Sequence, residues 1–480
     1  CVLCLPNIGH DFTKQNALIY FFCQHLFRIL NVLSALLIIL GVCQAYLHRA
    51  ITNRQTEATL SWTRDEMERL SRTSQCQVLL VESIPQNLSY STDSPRHAST
   101  YFAWNLLLSQ ANRSISIASF YWSLLAESNF NETGAEEGRH IYEQLLEKSK
   151  NLNLTIAQSG PVRNDTELQQ LEAAGAKIYW VNFAKILGRG ILHTKLWTVD
   201  KKYSYLGSAN MDWRSITQVK ELGVLFLNCP MFVEDLDKIH TAYCLAADKV
   251  PNTWPSEVIT RYNHSNPMRV SINGFPSRVY FTASPVEFNP PGRSYDLEAI
   301  LRVIQSAEKY IYISVMDYSP EVINYKINSR SEFWPTIDNA LREAAITRGV
   351  EVRLLISRWR YTFPSMTNYL MSLRQLNGVH GAQIRVRFFV VPSFTDQQLK
   401  IPHARVNHNK YMVTDKTAYI GTSNWSGDYF LYTGGAAFVV EEDKSTQTPP
   451  EGHSIEEQSI HDQLVNIFHR DWNSEYSFEQ

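Results

Sequence analysis

The sequence predicts an α/β protein of two pseudo-symmetric lobes, each an α-β-α sandwich, behind an N-terminal transmembrane helix. Three observations predict it. A polar signature occurs twice: His193-Thr-Lys195-Leu-Trp-Thr-Val-Asp200 followed by Gly207-Ser208-Ala209-Asn210, and His408-Asn-Lys410-Tyr-Met-Val-Thr-Asp415 followed by Gly421-Thr422-Ser423-Asn424. The stretches leading into each copy alternate strand-like and helix-like runs in the same order. An apolar run without charges, Ile29 to Leu47, lies near the start of the chain.

Residues 1–28 read as a cytoplasmic tail and 29–47 as a signal anchor. At about 1.5 Å per helical residue this run is long enough for a bilayer core. A cleaved signal peptide is the rival reading, but its apolar core is shorter and ends at a small-residue cleavage site. Residues 48–75, polar and charged, read as a stalk. The first lobe, 76–250, opens on the buried-strand pattern at Val78. Its further strands are expected at Ser114–Tyr121, Leu152–Ser159 and Ala176–Asn182, with helices at Glu136–Lys148 and Thr166–Ala173. Residues 251–292, rich in Pro, Asn and Ser, read as a connector with one strand candidate near Val279. The second lobe, 293–480, repeats the order with strands at Tyr310–Asp317, Val350–Ser357 and Gln383–Val391. Its helices are expected at Trp334–Thr347 and Ser365–Leu376. A polar loop follows over 441–457, and a last helix, Gln458–Trp472, packs back on the second lobe.

A chain of 480 residues suits two lobes better than one small core. The net charge of −2 supplies no global positive field. That argues against avid non-specific duplex binding and leaves a local cleft open. Of seven cysteines, Cys1, Cys4, Cys23 and Cys43 belong to the membrane-proximal segment. Cys76, Cys229 and Cys244 remain, enough for one bridge and one free thiol. No Cys/His set has zinc spacing, and no metal is expected. Basic residues flank the anchor on both sides and do not orient it. Sequons do: Asn87, Asn112, Asn131, Asn153, Asn164 and Asn263 all follow the anchor, which favours a lumenal, glycosylated folded part. Asn424-Trp-Ser sits inside the second signature and is discounted.

Neither signature alone holds a full catalytic set for a phosphodiester. Two copies facing each other supply two imidazoles, two ammonium groups and two amides. One neutral imidazole can attack phosphorus, and the other, protonated, can donate to the leaving oxygen and later deprotonate water. Lys195 and Lys410 would neutralise the non-bridging oxygens, and Asn210 and Asn424 would donate to them. Asp200 and Asp415, at the strand ends, read as structural. With these groups no Mg²⁺ is needed.

The duplicated H-x-K-x(4)-D with its G-S/T-x-N turn resembles the phospholipase D superfamily. Longer stretches, among them SIASFYW, LGSANMDWRSITQVKELGV and YIGTSNWSGDYF, are similar to its type three and type four branch over about residues 78–475. The resemblance implies a single-pass type II membrane protein with a lumenal domain, passing through endoplasmic reticulum and Golgi to the lysosome. It implies a 5′ to 3′ exonuclease on single-stranded DNA and RNA, working through a covalent phosphohistidine without a cofactor. The alternative it carries is a transphosphatidylase or hydrolase acting on phosphatidylglycerol-like lipids. It further implies that Glu221 orients a catalytic imidazole. The matching Gly434-Gly435-Ala436 has no acid, so the histidines are inequivalent: His193 is assigned as nucleophile and His408 as general acid/base. A Cys76–Cys229 bridge is implied as well. An exonuclease requires aromatic residues for base stacking. The candidates are Tyr121, Trp122, Trp213, Phe333, Trp334, Trp425 and Tyr429, with Trp213 and Trp425, just past the motif asparagines, taken as pocket walls. A monomer and a homodimer both stay open.

Overall fold

Strands such as Leu196–Val199 and Glu221–Leu227 are buried along their whole length. Continuous burial of this kind belongs to sheets covered on both faces, where runs of apolar residues replace simple alternation. A computed structural model describes residues 76–126, 134–323, 330–443 and 458–479. The tail, anchor and stalk expected over 1–75 lie outside the described residues, as do Asn131 and most of the loop at 441–457. Among the described residues no helix is long and apolar enough to cross a membrane.

The first sheet runs in the order Ala98–Ser99, Gln77–Ser83, Glu221–Leu227, Tyr203–Gly207, Leu196–Val199, Ser114–Ser119, Asn153–Ser159, Lys177–Val181. The second runs Met268–Ile272, Phe275–Ser284, Gly435–Glu442, Ala418–Gly421, Lys410–Thr414, Tyr310–Val315, Glu351–Ser357, Ile384–Phe389, Ser477–Phe478. From Gln77–Ser83 to Lys177–Val181 and from Phe275–Ser284 to Ile384–Phe389 the two orders coincide strand for strand, and Ser477–Phe478 adds an edge to the second. In each sheet three strands run parallel, with helical crossovers between them, while the two motif strands form an antiparallel pair. The mixed α/β architecture is thus one unit used twice.

The connector expected over 251–292 is corrected by this order. Phe275–Ser284 is the counterpart of Gln77–Ser83 and starts the second repeat. The strand expected near Val279 is this one, and its Pro276 sits at the strand's beginning, where proline is tolerated. The last helix, Ile460–Trp472, packs on the second lobe as expected, and reaches the first sheet as well. Ile460, Leu464, Ile467 and Phe468 join a core shared by both sheets. In that core Phe226 lies 5.2 Å from Phe438 and 5.7 Å from Phe281 between ring centroids, so three rings from two sheets interlock. Each fully buried phenylalanine contributes about 1.5–3 kcal/mol. The same helix places Arg470 on Glu82 of the first sheet at 2.6 Å and Asp471 on Lys220 at 2.8 Å.

A Cys76–Cys229 disulfide joins the start of the first strand to the end of its neighbour, Glu221–Leu227. Cys244 is free and half-buried.

Candidate active site

The two signatures meet because each lobe clamps the segment before the other lobe's motif histidine. His193 N–H donates to the Gly434 carbonyl at 2.8 Å, and Gly434 N–H donates to Ile191. Symmetrically, His408 N–H donates to Lys220 at 2.7 Å, and Lys220 N–H donates to Val406. Gly190 makes the first crossing possible. Its φ is +92°, and a Cβ there would stand 1.8 Å from the Tyr432 carbonyl oxygen.

These straps bring the imidazoles to a 6.5 Å centroid separation in one cavity of about 680 Å³. The cavity lies beyond the carboxyl ends of the parallel strands, where open α/β sheets bind ligands. His193, Asn210, Glu221, His408 and Asn424 line it. Lys195 and Lys410 follow two residues behind their histidines and are buried. Each ammonium donates to the carbonyl of its own motif histidine, at 2.6 and 2.7 Å.

The imidazoles are held differently. His193 Nδ1 lies 2.9 Å from the Thr422 carbonyl oxygen, which can only accept. Nδ1 therefore carries the proton and Nε2 keeps its lone pair. His408 Nδ1 lies 2.7 Å from Glu221 Oε2. The inequivalence follows from the repeat: Glu221 pairs with Ser83 in one sheet, as Gly435 pairs with Ser284 in the other. A Cβ on Gly435 would crowd the hydroxyls of Ser423 and Ser284, and the glycine leaves His193 without a carboxylate there. Lys220 points the other way along the strand and pairs with Asp471 and Glu82, leaving Glu221 to the histidine.

Burial, the Lys195 and Lys410 charges and His408 hold His193 well below the usual histidine range. Burial also lowers His408, against the pull of Glu221. Burial alone would raise Glu221, yet His408 and Lys410 outweigh it and hold the carboxyl below its usual value. Burial and then Lys410 depress Lys195 well below the usual lysine value, and burial pushes Lys410 down to about 8. The cavity thus gathers two imidazoles and two ammonium groups around the carboxylates of Glu221 and Asp317, and an anion bound among them would favour their protonated forms.

Asp200 and Asp415 lie outside the cavity lining. Asp200 accepts from the backbone N–H groups of Asn112, Arg113 and Ser114, and Asp415 from those of Glu308 and Lys309. They fasten the motif strands to their neighbours. The two tryptophans expected as pocket walls are not there. Trp213 packs with Ala135, Ile401 and Ala404, and Trp425 lies in the second lobe's core. Each follows a tight turn whose asparagine faces the cavity, and the chain then turns its next large side chain inward. Trp122 is buried, Trp334 stacks on Phe430, and Phe333 is exposed away from the cavity. Tyr121 and Tyr429 do line it.

Several lining residues carried no motif. Asp317 accepts from the Asn424 amide at 2.9 Å, and burial pushes its carboxyl up to about 6 against Lys410. Arg214 is clamped by Asp212, which also accepts from Tyr121. Trp359, Tyr361, Phe363 and His403 complete the wall. Their common signal is position, since Phe120 and Tyr121, Met316 and Asp317, and Trp359 each fall just after a strand's carboxyl end.

Comparison with known proteins agrees with this geometry. A family model described as the PLD3/4, PLD-like domain matches residues 91–394. The chain is 42% identical to the 5′-3′ exonuclease PLD3 of Xenopus laevis, over 98% of this chain and 93% of that one. It is 44% identical to the 5′-3′ exonuclease PLD3 of Homo sapiens over 84% of this chain and 81% of that protein. It is 40% identical to the 5′-3′ exonuclease PLD4 of Mus musculus over 87% and 82%. Among solved structures, a phosphatidylserine synthase of Haemophilus influenzae shares the fold, with TM-score 0.50 at 10% identity, over 79% of this chain and 84% of that one. With its paired motifs, its duplicated sheet and these relatives, the chain belongs to the phospholipase D superfamily, in the PLD3/PLD4 branch.

Proposed function

We propose that the chain is a phosphodiester hydrolase acting as a 5′ to 3′ exonuclease on single-stranded DNA and RNA. The observation that carries the reading is the convergence of both motif histidines on one cavity, in a chain whose relatives bear that name. His193, neutral with its Nε2 lone pair free, attacks phosphorus. His408, its Nδ1 supported by Glu221, gives its Nε2 proton to the leaving oxygen. The phosphohistidine is then hydrolysed by water that His408 deprotonates. Lys195, Lys410, Asn210 and Asn424 stabilise the charge on the non-bridging oxygens. An acidic compartment suits the step, because His408 must be protonated while His193 stays neutral.

The same reading makes the chain a single-pass type II membrane protein, with residues 29–47 as anchor and a lumenal domain that reaches the lysosome. Support comes from the sequons: Asn87, Asn112, Asn153 and Asn164 are exposed, and Asn263 is partly exposed. The cavity wall is aromatic-rich and poor in aliphatic side chains, which suits bases better than acyl chains.

The test gives the purified protein, at mildly acidic pH with EDTA, a single-stranded oligonucleotide with a free or blocked 5′ end, and separately a phosphatidylglycerol-type lipid. Stepwise release of nucleotides from the free 5′ end supports the reading. Headgroup exchange on the lipid without nucleotide release overturns it in favour of the lipid enzyme.

A further inference from the structure

On the second-lobe wall of the cavity, Tyr361 and His403 stack at 4.8 Å with only 23° between their planes. Trp359 meets Tyr361 edge-on at 4.8 Å and 78°. Tyr361 is 41% exposed and His403 is exposed too, yet both line the cavity that holds the motif histidines. A tyrosine displayed in this way is not filling a core. Its neighbours are fixed by an unusual amount of structure. His403 holds φ at +54° and Arg405 at +55°, a left-handed conformation that costs a non-glycine residue free energy and persists only where surroundings impose it. Arg405 imposes it here, donating to the Pro392 and Gln86 carbonyls and to the Gln218 side chain. Arg214 adds a bond to the Pro402 carbonyl at 2.8 Å. The loop that presents His403 is therefore bolted to both halves of the chain, five residues before His408.

We propose that Trp359, Tyr361 and His403 form a nucleobase platform, on which a base flanking the scissile phosphate stacks. The proposal rests on the exonuclease reading and adds to it the residues that grip the substrate. The stacked Tyr361–His403 pair, buttressed edge-on by Trp359 and with the Arg360 guanidinium 5.0 Å from the Tyr361 ring, sets a preorganised aromatic edge beside a cationic phosphate site; sequence-tolerant binding of a single strand requires this, because every base offers a π-face. An acyl chain has no such face and gains nothing from ring alignment. Stacking on a fixed surface also favours strands whose bases are free over paired ones. The two pocket tryptophans expected from the motif turns are thus replaced by rings from the loops after Glu351–Ser357 and before His408.

The experiment measures KM and kcat on single-stranded oligonucleotides with normal bases, and on the same lengths carrying abasic residues at the first two positions. Wild type is expected to favour the base-bearing strand. Tyr361→Ala and Trp359→Ala are expected to reduce that preference about tenfold, chiefly through KM, within the range for loss of one base–aromatic stack. Tyr361→Trp should retain it, and Phe333→Ala, on an exposed ring outside the cavity, should leave kinetics as in wild type. Equal preference in Tyr361→Ala and wild type overturns the platform while leaving the exonuclease intact. The platform is also overturned if wild type does not distinguish base-bearing from abasic strands. Absence of oligonucleotide cleavage by wild type overturns the exonuclease reading itself, and the platform with it.

Discussion

Replacing Glu221 with glutamine removes one charge from the centre of the proposed mechanism and little else. Glu221 is fully buried, and its Oε2 is 2.7 Å from His408 Nδ1. Glutamine keeps the size, and its amide oxygen can still accept from Nδ1–H, so the ring keeps its tautomer. An opposite charge at this range raises an imidazole by about 1–3 pH units. Burial already holds His408 below its usual 6.5, so Glu221→Gln lowers it further. As the acid, His408 must carry a proton, and the protonated fraction falls as pH rises through its pKa. The alkaline limb of the kcat profile therefore moves to lower pH. His193 must be neutral, and it is held further down than His408, so the acid limb stays where it is. The active window narrows from the alkaline side alone. On that limb kcat at a fixed pH falls about 10- to 1000-fold, since each unit is worth about 1.4 kcal/mol. The assay is a pH–rate profile on a single-stranded oligonucleotide. An alkaline limb at the wild-type position, with kcat near wild type, would refute the assignment of Glu221 to His408.

Three further outcomes are expected. His193→Ala and His408→Ala each abolish oligonucleotide turnover, while circular dichroism and thermal unfolding stay near wild type, because both rings face a cavity rather than the core. Cys76→Ser combined with Cys229→Ser destabilises the folded part by about 2–5 kcal/mol in denaturant unfolding, as the bridge closes a long loop; the two cysteines are 153 residues apart. Gly190→Ala costs more than about 1 kcal/mol, because alanine resists the required φ, and the Tyr432 carbonyl blocks its Cβ; a thermal shift and kcat measured together should both fall, since the strap carries His193.

Much of the architecture was legible because it is periodic. Thr166–Ala173 and the strands at Asn153–Ser159 and Glu351–Ser357 fall where alternation and helical spacing put them. The strand Phe275–Ser284 was legible near Val279 but not as the opening of the second repeat, because that role rests on its pairing with Gly435–Glu442. The last helix was legible as a helix on the second lobe, but not in its reach to Glu82 and Lys220 of the first. An amphipathic face states that something apolar will cover it, not which sheet does so.

The site divides along the same line. The amino-acid order alone names the reagents: two histidines, two lysines and two asparagines at repeated offsets, with an aspartate at the end of each motif strand. These are short-range patterns, and a short window of sequence contains them. How the reagents are paired is set by the fold. His408 takes its support from Glu221, 187 residues away, and His193 from Thr422, 229 residues away. It also decided that Trp213 and Trp425 go to the core while Tyr361 and His403 face the cavity. Which side of a turn a large ring occupies depends on the space left by the opposite lobe. That space is created by packing between distant segments, and no local pattern encodes it.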